Sequence, residues 1–212
     1  MQVFPEDRRR QRSATSRAAI VDAAQELLTQ GGAESVQVET VAEMVDMSVQ
    51  TIYNRVGKRS QLLLAVAERA MEECSQLLSG AFAAPGTASE RATAVGTAYM
   101  RFAFEYPSQF QLLANPPDDA ARSRIADLAG VEVARMAQVL TEGRRNGEFA
   151  LPAQPTQVAV ALWAMMDGVI ALSWRTTQLQ LSRSSLEEAA DAAVHILLSG
   201  LQAGSPEQSL GA

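Results

Sequence analysis

Lysine, histidine and cysteine are almost missing from this chain of 212 residues, which has one of each: Lys58, His195 and Cys74. A single cysteine excludes a disulfide framework within the chain and points to a reducing compartment. One histidine and one cysteine leave little of the usual acid–base and nucleophilic toolkit. There is no glycine-rich phosphate loop, no nucleophile motif and no His/Cys/carboxylate cluster at metal-binding spacing. The sequence therefore points away from an enzyme, and neither a metal nor a cofactor is expected. Cys74 reads as a small core or surface residue, with a redox sensor as the alternative. The N-terminus, MQVFPEDRRRQR, lacks the apolar core of a signal peptide, so a cytoplasmic location is expected. Long β-branched runs are also missing. Ala, Leu, Val, Glu, Gln and Arg dominate, which predicts an all-α fold. The longest apolar stretch, VAVALWAMMDGVIALSW at 158–174, is slightly short of a membrane span and contains Asp167. It reads as a helix buried in a core or a subunit interface, and no membrane partner is expected.

Charge is unevenly placed. The net charge is −6, which alone argues against a nucleic-acid partner. In residues 1–70, however, nine Lys and Arg balance nine Asp and Glu, and the cations are bunched at 8–17 and 55–59. Local potential matters more than net charge for phosphate binding. Residues 1–13 are polar and aperiodic and read as a flexible basic arm carrying Arg8, Arg9, Arg10 and Arg12.

From Thr15 the pattern is helical, with Ile20, Ala23, Ala24, Leu27 and Leu28 on one face and Gly31-Gly32 as a stop. A short helix follows with Val38, Val41, Ala42 and Val45 inward. Asp46-Met47 makes a turn, and Ser48 is a good N-cap for a third short helix ended by Gly57. Val49, Ile52, Tyr53 and Val56 make its inward stripe. That order of elements is a supported helix-turn-helix. The stripe leaves Gln50, Thr51, Asn54 and Arg55 on one polar face, and such amide, hydroxyl and guanidinium groups suit base edges and phosphates. Lys58 and Arg59 open a fourth helix, where the helix dipole disfavours cations unless a phosphate sits there. From pattern alone, a DNA-reading helix and the solvated face of a helical bundle both remain open.

The segments IVDAAQELLTQGG and VETVAEMVDMSVQTIYNRVGKRSQLL resemble the tetracycline-repressor-like (TetR) family of bacterial transcription regulators. The Ala-Ala pair before a double Leu, and S-x-x-T-I-Y before a basic-opened helix, carry the resemblance. It implies that Ser48, Thr51 and Tyr53 contact the phosphate backbone and that Val49, Gln50 and Asn54 read bases. It also places Arg59 at a basic position of the fourth helix. The chain departs from the family pattern at Gln37 (usually a Ser or Thr cap), at Asp46 (usually Gly) and at Arg55-Val56 (usually His-Phe). The resemblance implies a ligand-responsive transcription regulator, by family habit a repressor, that binds a two-fold operator as a homodimer and is released by a small-molecule effector. The competing classes are a helical interaction module and an enzyme, both without DNA binding.

The domains expected are a DNA-binding domain at 14–58, a helical ligand-binding and dimerisation domain at 59–205 and a flexible tail at 206–212, with about nine helices. The second domain reads as helices at 59–80, 88–106, 107–114, 118–146, 155–178 and 183–203, punctuated by Pro and Gly. FAFEYPSQFQLL, EGRRNGEF and ALWAMMDGVIAL resemble the family's regulatory domains more weakly. In that architecture the last two long helices pair with their copies. The expected interface residues are Leu162, Leu186, Ala190, Ala193, Leu197 and Leu201, with His195 at that face or at the surface. Candidate pocket residues are Met71, Phe82, Tyr99, Phe102, Tyr106, Phe110, Trp163, Met166, Asp167 and Trp174, and ordinary core is the alternative for each aromatic. Asp167, an acid inside an apolar helix, needs a partner. That partner is a ligand, or an internal cation such as Arg101 or Arg175.

Overall fold

The structure, a computed structural model, describes residues 5–174 and 182–202, with the backbone alone for residues 5–12. The side chains of the basic arm, Arg175, the end of the helix expected at 155–178 and the tail therefore lie outside the described residues. Among the described residues the chain forms nine α-helices: α1 (Pro5–Gly31), α2 (Val38–Met44), α3 (Val49–Arg55), α4 (Arg59–Phe82), α5 (Ala88–Glu105), α6 (Pro107–Ala114), α7 (Asp119–Arg145), α8 (Pro155–Ala171) and α9 (Arg183–Leu201). A 3-10 turn, Ala33–Ser35, joins α1 to α2.

Helix α1 begins at Pro5 rather than Thr15. Pro suits a first helical position, and the two acids after it suit the positive end of the dipole. Apolar periodicity reports where a helix meets a core, not where it starts, so the first turns left no periodic trace. From Ile20 onward the expected face holds: Ile20, Ala23, Ala24, Leu27 and Leu28 are all buried. Gly32 takes φ 70° just after α1, a left-handed angle that glycine reaches without cost. Between α2 and α3, Asp46 takes φ 51°, so the aspartate adopts the left-handed turn usually left to glycine.

The chain packs as two compact units. The first runs through Glu73 and includes Tyr106–Asp127; the second holds Cys74–Glu105 and the chain from Leu128. Their boundaries fall inside α4 and α7, not at residue 58. In the first unit Ile20, Val21 and Leu28 of α1, Val41 of α2, Ile52 of α3 and Leu62, Leu63 and Val66 of α4 are almost fully buried. Helix α6 packs on α1, and its Phe110 and Leu112 are buried as well. The second unit has its own core from α5, α7, α8 and α9, including Ala92, Met100, Leu140, Ala159, Met166, Ala190, Val194 and Leu198. Helix α7 runs unbroken through Gly130. Among the described residues no helix is long and apolar enough to cross a membrane, and α8 ends at Ala171 in a turn at 172–174.

Two glycines of α7 predict opposite outcomes. A methyl group at Gly143 would overlap the buried Phe149 ring and lie 2.9 Å from Ala88 Cβ, whereas at Gly130 it would meet open space. Gly143→Ala should cost about 1–3 kcal/mol through overpacking. Gly130→Ala should gain roughly 0.5–1 kcal/mol from helix propensity. Thermal or urea unfolding of the two variants checks both signs.

Candidate functional site

Helix α3 is seven residues long and turns one side chain, Ile52, fully into the first unit's core. Val49 and Val56 are half-buried at its edges. Tyr53 was expected in the inward stripe but is 41% exposed. One helical step from Ile52 turns a side chain by about 100°, so the ring lies at the rim and its hydroxyl reaches solvent. Gln50, Asn54 and Arg55 are exposed beside it. The structure thus brings together on one surface the side chains expected there.

Most polar groups of this surface are already paired. Ser48 caps α3: the Thr51 backbone N–H donates to Ser48 Oγ at 3.2 Å, and the two hydroxyls lie 2.8 Å apart. Gln50 Nε2 donates to Asn54 Oδ1 at 3.1 Å. The Arg55 guanidinium donates to Ser13 Oγ on α1. Among the described residues the Lys58 ammonium has no such partner, and its exposed head stands at the start of α4. Gln61 Oε1 accepts the Lys58 backbone N–H at 2.6 Å and so covers one of the first orphan donors of α4. Gln37 stands at the N-cap of α2 without a side-chain cap; its amide donates to Glu34 O instead.

Arg59 has a different task from the one expected. Its Nε donates to Val36 O at 2.8 Å and its second nitrogen to Ala33 O at 2.6 Å, with Glu34 at 3.8 Å. The guanidinium satisfies two carbonyls where the 3-10 turn leaves the helical ladder. The dipole conflict at the start of α4 is thus met by the chain's own carbonyls, a solution that nothing in the local pattern announces.

In the second unit the partner of Asp167 is neither arginine. Tyr99 donates its hydroxyl proton to Asp167 Oδ1 at 2.6 Å, and Trp163 Nε1 donates to the Tyr99 oxygen at 2.9 Å. Arg101 instead lies 4.0 Å from Glu105. Burial raises the Asp167 pKa, and the Tyr99 hydrogen bond opposes it. Burial and the neighbouring carboxylate push Tyr99 well above its usual range. Burial, then the charges of Glu132 and Asp167, push the Cys74 thiol up to about 12, which removes it as a redox sensor because the thiolate is the reactive form. Phe102 and Met166 are core residues, Trp174 is half-buried and Trp163 is 36% exposed. Met71, Tyr106 and Phe110 belong to the first unit. Phe82 packs under Arg135, whose guanidinium carbon lies 4.3 Å from the ring centre.

The expected dimer stripe is corrected. Leu186, Ala190 and Leu201 are buried in the second unit's own core, with Leu162 packed against it, so they cannot also meet another chain. Ala193 and Leu197 are half-buried. Helix α9 has two apolar faces, and the stripe read from the sequence is the inner one. The outer surface instead carries Val160 and Met165 of α8 and Ile196 of α9, which is 67% exposed. Gly168 and Gly200 have open space over them. His195 is exposed.

Two family models match this chain: bacterial regulatory proteins of the tetR family over residues 20–66, and the tetracyclin repressor-like C-terminal domain over 92–197. The chain belongs to the TetR family. Members are DNA-binding transcription regulators rather than enzymes, so the helix-turn-helix of α2 and α3 is the DNA-binding element. Solved structures of the same fold include a Rhodococcus sp. RHA1 protein of unknown function, with 21% identity over 88% of this chain and 95% of that one and a TM-score of 0.73. FadR of Bacillus subtilis in complex with stearoyl-CoA gives 17%, 87%, 99% and 0.70. A TetR/AcrR-family regulator of Thermobifida fusca YX-ER1 gives 20%, 88%, 98% and 0.69. No curated protein matches this TetR-family chain in sequence.

The Asp167 group makes a pH prediction. Folding raises the Asp167 pKa above its model value of 3.8, so the fold is penalised whenever this carboxyl is ionised in both states. The penalty is full above the folded pKa and fades as pH falls through it. Asp167→Asn keeps an acceptor for Tyr99 and removes the charge. It should therefore be at least as stable as wild type at pH 8, with the advantage shrinking towards pH 4, as read from urea unfolding across pH.

Proposed function

We propose that this TetR-family regulator is a cytoplasmic repressor that binds a two-fold symmetric operator as a homodimer and is released by a small amphipathic molecule. The observation that carries the reading is the exposed polar surface of α3, set beside Lys58 and held by Ile52. Ser48, Thr51 and Tyr53 contact phosphates; Val49, Gln50 and Asn54 face bases; Arg55 and Lys58 add positive charge. Arg59 positions α4 rather than binding phosphate. One seven-residue helix covers a short footprint, and a dimer joins two half-sites. The outer surface of α8 and α9 around Val160, Met165, Gly168 and Ile196 suits the second copy, since small residues let helices approach closely.

The effector reading rests on the second unit. Tyr99, Trp163 and Asp167 form a polar group amid Phe102, Met166 and Trp174, which suits a molecule with an apolar body and one polar end. Bacillus subtilis FadR, of the same fold, holds stearoyl-CoA. Helix α4 belongs to both units and so offers a continuous element through which effector binding alters DNA affinity. The coupling expected is ~1–3 kcal/mol.

Fluorescence anisotropy with promoter DNA tests the reading. Wild type should bind one duplex far more tightly than scrambled DNA, and failure to bind any duplex would leave a helical interaction module. Tyr53→Phe keeps the ring and loses the phosphate partner, so it should weaken all duplexes by a similar factor. Ile196→Arg should yield folded monomers in sedimentation that bind the operator poorly. A wild-type monomer at micromolar concentration would overturn the assembly.

A further inference from the structure

We propose that Gln50 and Asn54 read the operator as one hydrogen-bonded unit, in which Gln50 takes an adenine and Asn54 a neighbouring keto base, guanine or thymine. This rests on α3 being the DNA-facing helix. The two side chains lie four residues apart, one turn along the exposed face, with Gln50 Nε2 donating to Asn54 Oδ1 at 3.1 Å. Their neighbours are tied elsewhere: Thr51 to Ser48, and Arg55 to Ser13. The pair therefore presents a fixed set of donors and acceptors before DNA arrives, which lowers the ordering cost of binding.

That set differs for the two amides. A primary amide has two N–H donors and one carbonyl acceptor. Gln50 spends one N–H on Asn54 and keeps its other N–H and Oε1, the combination that matches adenine N7 and N6–H in the major groove. Asn54 has its oxygen occupied and keeps two N–H donors. An amino base would bring a second donor onto that oxygen, against the Gln50 N–H. A keto base offers acceptors only: guanine O6 and N7, or thymine O4. The amide-to-amide separation of 3.1 Å is close to the rise of about 3.4 Å between successive bases, so the pair addresses neighbouring positions.

Both side chains are exposed, so substitution leaves the core untouched. The test is selection of binding sites from a randomised duplex library at fixed salt, with full-length wild type, Gln50→Ala, Asn54→Ala and Asn54→Asp, each checked for helical content. Wild type should enrich an adenine beside a guanine or thymine, and Gln50→Ala should erase the adenine preference. Asn54→Asp keeps an acceptor for Gln50 but has no donor. The adenine preference should survive, while the keto preference falls roughly tenfold and shifts to an amino base. Asn54→Ala removes the partner of Gln50, so both preferences should fall. Unchanged adenine preference in Asn54→Ala, or adenine at the Asn54-dependent position of wild type, overturns the pair. A wild type that binds DNA yet enriches no sequence also overturns it while leaving DNA binding standing. A wild type that binds no duplex sinks the regulatory function and the pair together.

Discussion

The Arg59 guanidinium spans from the first turn of α4 to the carbonyls of Ala33 and Val36, at 2.6 and 2.8 Å. Those carbonyls belong to the connection between α1 and α2, so one side chain ties three helices of the first unit at a single point. Helix α3 has only seven residues, too few to be stable alone, and holds one fully buried anchor in Ile52. Its orientation is therefore set by the frame of α1, α2 and α4 around it. Arg59 is an interior brace in a place where sequence pattern reads a phosphate contact. The difference matters, because removing a brace leaves two part-buried carbonyls without donors and loosens the reading surface as a whole.

Most of the fold was legible because helices that bury one face write a period of 3.6 into the sequence. Ile20 to Leu28 in α1, Val38 to Ala42 in α2 and the Pro and Gly stops before α5, α6 and α8 all fall as read. The misreadings share a cause: periodicity identifies an apolar face but not what covers it. Pro5 to Thr15 carries helix without a core-facing stripe, so the start of α1 was missed. Helix α9 has two apolar faces, and the sequence offered no means of telling the inward Leu186, Ala190 and Leu201 from the outward Ile196. The Ala33–Ser35 turn leaves no periodic mark at all.

The site was legible by residue type and less so by pairing. The outward positions of α3 followed from the register set by Ile52. That Asp167 needs a partner also followed, because an acid in an apolar helix is costly. The identity of the partner did not, since Tyr99 is distant in sequence and a hydroxyl leaves no charge pattern to search for. Gln50 with Asn54, and Arg55 with Ser13, are likewise products of geometry. The surface that meets DNA is a set of side chains already committed to one another.

Amide hydrogen exchange of the full-length protein, with and without its selected duplex, tests DNA reading by α3 most directly. Slowed exchange concentrated over 48–58, with smaller changes in α8 and α9, is the predicted result. Tight binding that leaves 48–58 unchanged and protects another element would contradict it.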